Sequence, residues 1–133
     1  MNLNYAERAR ALVGTRFRPQ GRSGDGLDCI GVVLLTFGLD AGAIRRDYRL
    51  RGDHRTELEQ GLLVQFRRLA LRQLGSGDVM LMCVAGDQLH LGVRTDRGFV
   101  HAHAGIGFVV ETPGAPEWPV LSVYRKRTRI RVS

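Results

Sequence analysis

Lysine is almost missing from this 133-residue chain. Lys126 is the only one, so arginine supplies nearly all of the positive charge behind a net +7. That balance favours anionic partners such as cell-wall polymers, nucleic acid or an acidic protein surface. The skew toward arginine itself has a plainer reading, the codon bias of a GC-rich genome. Long apolar runs are also missing: none approaches the ~20 residues of a membrane helix, so no membrane span is expected. The opening Met1-Asn2-Leu3-Asn4-Tyr5-Ala6-Glu7 lacks the basic-then-apolar order of a secretory leader. The protein is expected in the cytoplasm, or carried outward by other machinery, or with its leader outside this sequence. With two cysteines, Cys29 and Cys83, at most one disulfide can form. Cys29 lies in a glycine-rich helix start and Cys83 in the apolar run Val79-Met80-Leu81-Met82-Cys83-Val84, where it reads as a small buried core residue, so that pairing is disfavoured. Repeats, low-complexity tracts and linkers are missing too. A composition 44% hydrophobic is globular, and one domain spanning 1–133 is expected.

The first half reads as helical. Asn4 followed by Glu7 resembles a capping box. Tyr5, Ala9, Leu12 and Val13 keep helical spacing, and Gly14 ends it. Residues 16–26 read as a loop. A second helix opens near Asp28, with Ile30, Val33, Leu34 and Phe37 as one buried stripe. After an arginine-rich connection from Asp40 to Gly52, a third helix is expected from His54 to Leu71. Asp53 would cap it, and Leu58, Leu62, Phe66 and Leu69 would share one face. Past Gly75-Ser76-Gly77-Asp78, which reads as a turn, the period becomes that of strands: 79–85, 90–95, 99–103, 108–111 and 120–127. Turns at Gly86-Asp87 and Asp96-Arg97-Gly98 mark hairpins. Helices followed by an antiparallel sheet of about five strands is an α+β pattern.

Within that frame Cys29 sits at a helix start, while His90 and His101 sit on strands that the turn at 96–98 pairs. A thiol needs an ionised sulfur, a base and a group that orients the base to act as a hydrolytic nucleophile. A helix N-terminus and an imidazole are expected to lower the Cys29 pKa from about 8.5 toward roughly 3.5–7.5. Free N–H groups of the helix, that of Cys29 included, would bind the oxyanion. His103, two residues on and on the same strand face as His101, is an alternative orienting or substrate-binding group. A zinc site at these histidines would need a further ligand that is not evident, so no metal or other cofactor is expected. Asp28 is either a helix cap or a contact to a substrate amine.

Asp28-Cys29-x-Gly31, Gly77-Asp78-Val79, His90-x-Gly92-Val93 and Val100-His101-Ala102 occur here in one order. Together they closely resemble the NlpC-type cysteine peptidases, bacterial cell-wall endopeptidases of the papain-like superfamily. The resemblance runs from about Ala9 to Glu111. It implies a helical half packed on an antiparallel sheet, with Cys29 as nucleophile, His90 as base and then acid, and His101 orienting His90. The implied reaction is hydrolysis of the D-γ-glutamyl–diamino acid amide in peptidoglycan stem peptides. The chain looks most like the branch found in phages and gene-transfer agents, which implies tail proteins as partners beside peptidoglycan peptides, with nucleic acid not expected. Two positions depart from the family. Many members carry serine where this chain has Ile30, and tyrosine where it has Phe17, so the hydrogen bonds those residues give to substrate, oxyanion or thiolate are lacking here. Asp28, Ile30, Phe17 and His103 are thus the candidate substrate-binding positions. A weakly active or inactive wall-binding or tail-structural module on the same fold is the alternative. Acyl transfer on lipids ranks last, since no long apolar groove is legible. In the tail, Arg125, Arg127, Arg129 and Arg131 form either a docking stripe or a charged edge strand.

Overall fold

Asn4 caps the first helix as its spacing from Glu7 predicts, its Oδ1 accepting the Glu7 N–H at 3.1 Å. The computed structural model describes residues 4–23, 26–40, 42–44, 54–84 and 87–128. Helix α1 covers Tyr5–Arg10, shorter than its apolar spacing suggests, and the chain turns through residues 11–14 to a left-handed Gly14 at φ +95°. Residues 14–17 then run beside a later strand. The Gly14 N–H donates to Val109, the Val109 N–H to Thr15 and the Phe17 N–H to Gly107. A small hairpin of β1 (Arg22–Ser23) and β2 (Gly26–Leu27) occupies part of the expected loop.

Helix α2, Cys29–Thr36, starts at Asp28, whose Oδ1 accepts the Gly31 N–H at 2.7 Å. The expected single stripe is too narrow: Cys29, Ile30, Gly31, Val32, Val33, Leu34 and Thr36 are all buried. A helix apolar on most sides is an enclosed helix, and α2 lies between α1 and the sheet. Helix α3, Arg55–Gln65, buries Leu58 and Leu62. Asp53, its expected cap, lies outside the described residues, and His54 holds that position, its ring Nδ1 2.7 Å from the Glu57 carboxylate.

The third helix ends six residues earlier than the pattern implied. Phe66–Leu69 forms a strand, β3, whose Phe66, Arg67, Arg68 and Leu69 pair with Lys126, Arg125, Tyr124 and Val123. Phe66 and Leu69 are buried three residues apart, a spacing that extends the helical period of Leu58 and Leu62 by coincidence. The remaining strands are β4 (Val79–Val84), β5 (Gln88–Arg94), β6 (Gly98–His103), β7 (Phe108–Pro113) and β8 (Val120–Lys126). They give a six-stranded antiparallel sheet in the order β3-β8-β4-β5-β6-β7. The meander β4 to β7 is as expected, but β8 returns to lie inside the sheet, between β3 and β4.

That position corrects the edge-strand reading of the tail. Arg125 is fixed inside the sheet and its guanidinium grips Asp78 at 2.9 and 2.8 Å. Asp78 is 2% exposed and also accepts the Gly75 N–H at 2.8 Å. Arg127 donates to the Leu63 carbonyl, while Arg129 and Arg131 lie outside the described residues. Because removing one partner strands a buried charge, Arg125→Ala should cost about 2 kcal/mol, the partly solvated arginine keeping the loss below that of a fully buried pair. Urea unfolding of the variant checks this; an unchanged midpoint would mean the pair contributes nothing.

The two sheet faces carry different cores. Leu89, Leu91, Val93, Val79 and Leu81 face the helices, while Met80, Met82, Phe99 and Val123 form a smaller cluster on the opposite face with Leu69, Leu74, Trp118 and Val120. Arg10 ties α1 to the sheet through Glu111 (3.0, 3.2 and 2.8 Å) and Asp96 (2.7 Å), and Thr95 donates to Glu111 at 2.6 Å.

Candidate active site

Helix α2 delivers Cys29 to a gap in the sheet. The registered pairs between β5 and β6 are Val93↔Val100 and Arg94↔Phe99; beyond them, toward His90, the described residues form no further β5–β6 pair. The backbone N–H of Leu91, which lies past the last pair, stands near the Cys29 sulfur and favours its ionised form, as do the N–H groups of Ile30 and Cys29 itself. The nucleophile candidate therefore lies near the backbone of the residue next to His90. Leu27 guides it there: its N–H donates to Arg16, its carbonyl accepts from Arg18, and Phe17 bridges to it.

His90 and His101 stand on the sheet face opposite the helices. His90 Nε2 lies 2.8 Å from His101 Nδ1, and His101 Nε2 lies 2.8 Å from Thr112 Oγ1. The His90 Nδ1 makes no hydrogen bond among the described residues. Gly92, on the same face as His90, explains part of the His-x-Gly pattern. A Cβ there would come within 3.2 Å of the Phe99 ring, which stacks on His101 at a centroid distance of 4.5 Å. Trp118 closes the other side, edge-on to His90 at 5.7 Å and to His101 at 5.8 Å.

The expected low thiol pKa is overturned. Cys29 is 4% exposed, and burial pushes its pKa up to about 12, with the neighbouring Asp28 charge adding to the rise. The three N–H donors pull the other way and lose. The imidazole offers no help, because burial drives His90 down to about 3, with His101 and His103 opposing a further charge. Burial, with His103 nearby, takes His101 to about 4. At neutral pH the thiol and both imidazoles therefore rest uncharged, not as an ion pair. Alkylation of Cys29 by iodoacetamide should be slow at pH 6 and rise about tenfold per pH unit through pH 9, followed by peptide mass spectrometry. A rate that levels off below pH 8 would contradict the neutral thiol.

Asp28 is occupied as the helix cap. Ile30 is 2% exposed within the core, and Phe17 is half-buried against it. His103 does not reach His90; its Nδ1 accepts the Ile106 N–H at 3.1 Å within the β6–β7 turn. Cys29 and Cys83 are both free, and Cys83 is half-buried instead of sealed in the core. Among the described residues no three His, Cys, Asp or Glu side chains converge to hold a metal, and no helix is long and apolar enough to cross a membrane. Sequence reasoning missed Thr112 and Trp118. The signal for Thr112 was the hairpin register, since Phe99↔Thr112 and His101↔Val110 put Thr112 diagonal to His101 on one face.

No protein-family model matches this sequence, and no curated protein does. Solved structures do. The NlpC/p60 domain of the peptidoglycan hydrolase SagA is 18% identical, covering 83% of this chain and 86% of that one at a TM-score of 0.59. The peptidoglycan hydrolase RipB of Mycobacterium tuberculosis is 21% identical over 92% of this chain and 62% of its own, at 0.59. NlpC2 of Trichomonas vaginalis is 18% identical over 95% of this chain and 48% of its own, at 0.67. This chain thus spans less than two thirds of the latter two. At such identities the likeness is one of fold.

Proposed function

We propose that this chain, folded as NlpC/p60 domains fold, is a cysteine endopeptidase that hydrolyses amide bonds in peptidoglycan stem peptides, acting as one catalytic domain. The D-γ-glutamyl–diamino acid bond is the intended target, and a phage or gene-transfer-agent tail is the carrier that brings it to the wall. The observation that carries the reading is the placement of Cys29 at the buried start of α2, near the backbone of Leu91, the residue that follows His90, whose ring is already engaged by a second imidazole. Two of the similar structures are themselves peptidoglycan hydrolases.

The chemistry follows from the neutral resting pair. As the sulfur attacks the amide carbon, its proton passes to His90 Nδ1, so the thiolate never accumulates. The N–H of Cys29 receives the developing oxyanion. His90 then gives that proton to the leaving amine, the C–N bond breaks and a thioester remains. Water, deprotonated by His90, hydrolyses it to the free acid and restores the thiol. His101 holds the His90 ring through Nε2 throughout.

Burial of Cys29 and its raised pKa favour a second reading, a wall-binding or tail-structural module with little or no turnover. Mass spectrometry of purified muropeptides after incubation with the protein separates the two. New fragments cut within the stem support the peptidase and name the bond; intact muropeptides retained by the protein support the module.

A further inference from the structure

His90 and His101 together carry two N–H protons in their neutral forms, and the geometry allows two orders. In the first, His90 Nε2–H donates to His101 Nδ1, His101 Nε2–H donates to Thr112 Oγ1, and His90 Nδ1 is bare. In the second every donor is reversed, Thr112 donates its hydroxyl hydrogen to His101, and His90 Nδ1 carries a hydrogen. Both fit separations of 2.8 Å at each link. In the proposed reaction His90 Nδ1 takes up the sulfur's proton, so it must start bare. That favours the first order at rest.

Once His90 takes up a proton, the choice disappears. An imidazolium donates from both nitrogens, so His101 Nδ1 must accept, His101 Nε2 must keep its hydrogen, and an acceptor must stand beyond it. Thr112 Oγ1 is the atom in that place. We propose that Thr112 is a positioning residue of this site, the terminal acceptor that fixes the order of hydrogen bonds along His90 and His101 while His90 is charged. A hydroxyl suits this place because it accepts without adding charge. The backbone holds it there: a Cβ at Gly98 would collide with the Thr112 carbonyl oxygen, so a glycine paired with the next residue, Pro113, lets β6 and β7 close beside it.

The inference rests on the peptidase reading for its kinetic consequence, and its test has one readout that does not. Thr112→Val keeps the shape and removes the acceptor. It should lower kcat on muropeptides roughly tenfold with KM unchanged, and Thr112→Ser should restore it. Independently, ¹⁵N NMR of histidine-labelled protein should find His101 protonated at Nε2 in the wild type and in Thr112→Ser, with Nδ1–H appearing in Thr112→Val. Wild-type kcat in Thr112→Val, or a wild-type His101 protonated at Nδ1, would overturn the proposal. If the wild type cleaves no muropeptide, the peptidase reading fails, and the NMR experiment still decides the hydrogen-bond order.

Discussion

Replacing Cys29 by alanine should abolish muropeptide cleavage, by at least about 10³-fold and toward the ~10⁶ seen when a hydrolase loses its nucleophile. No second thiol can substitute. Cys83 is turned toward its own strand, its sulfur 3.7 Å from the Val84 carbonyl, and it shares no hydrogen bond with either imidazole. The fold should survive, because the change deletes one buried heavy atom, a cost of about 1–2 kcal/mol. Circular dichroism and thermal melting of the variant establish that, and product mass spectra establish the loss. Cleavage persisting at more than a few per cent would remove Cys29 from the chemistry. His90→Ala should be similarly inactive, since nothing else is placed to take the proton.

The second large effect is on stability in mild acid. Both imidazoles have folded pKa values depressed below the ordinary 6.5, to about 3 for His90 and about 4 for His101. The unfolded chain therefore binds more protons than the folded one at any pH between these values and 6.5, and stability falls as pH falls through that window. Between pH 7 and pH 5 each ring should withdraw about 2 kcal/mol. The sum is a large share of the 5–15 kcal/mol that holds a typical domain together. Glu111 and Asp96, whose carboxyls are held low by Arg10, act in a lower window, as pH drops past the ordinary carboxylate range. Urea titrations at pH 7, 6 and 5 separate the two. His101→Asn should flatten part of the slope, and identical midpoints at pH 7 and 5 would show that the rings are not held neutral.

Much of this molecule was legible because its signals are local. The Asn4 and Asp28 caps, the hairpin turns and the strand period of the second half depend on neighbours in sequence, and the His90–His101 contact follows from one tight turn. Other features depend on partners far along the chain. Phe66 and Leu69 continued a helical period and gave no sign of the strand that β8 draws them into. The return of β8 into the sheet, and with it the grip of Arg125 on Asp78, needed a contact 47 residues distant. The thiol pKa was misjudged for the same reason. The donors at the helix start are a local matter and are present, but the desolvation that outweighs them comes from the whole core closing over α2.

Residues 111 and 112 point to opposite sides of one pleated strand. Glu111 receives Arg10 and Thr95 on the helix side, and Thr112 meets His101 on the other. Sliding β7 past β6 by a single residue would exchange them. A carboxylate would then sit against an imidazole kept uncharged, and the anchor of the first helix would vanish in the same step. Misalignment of this hairpin is thus penalised twice, which makes its alignment a matter of folding fidelity as well as of chemistry.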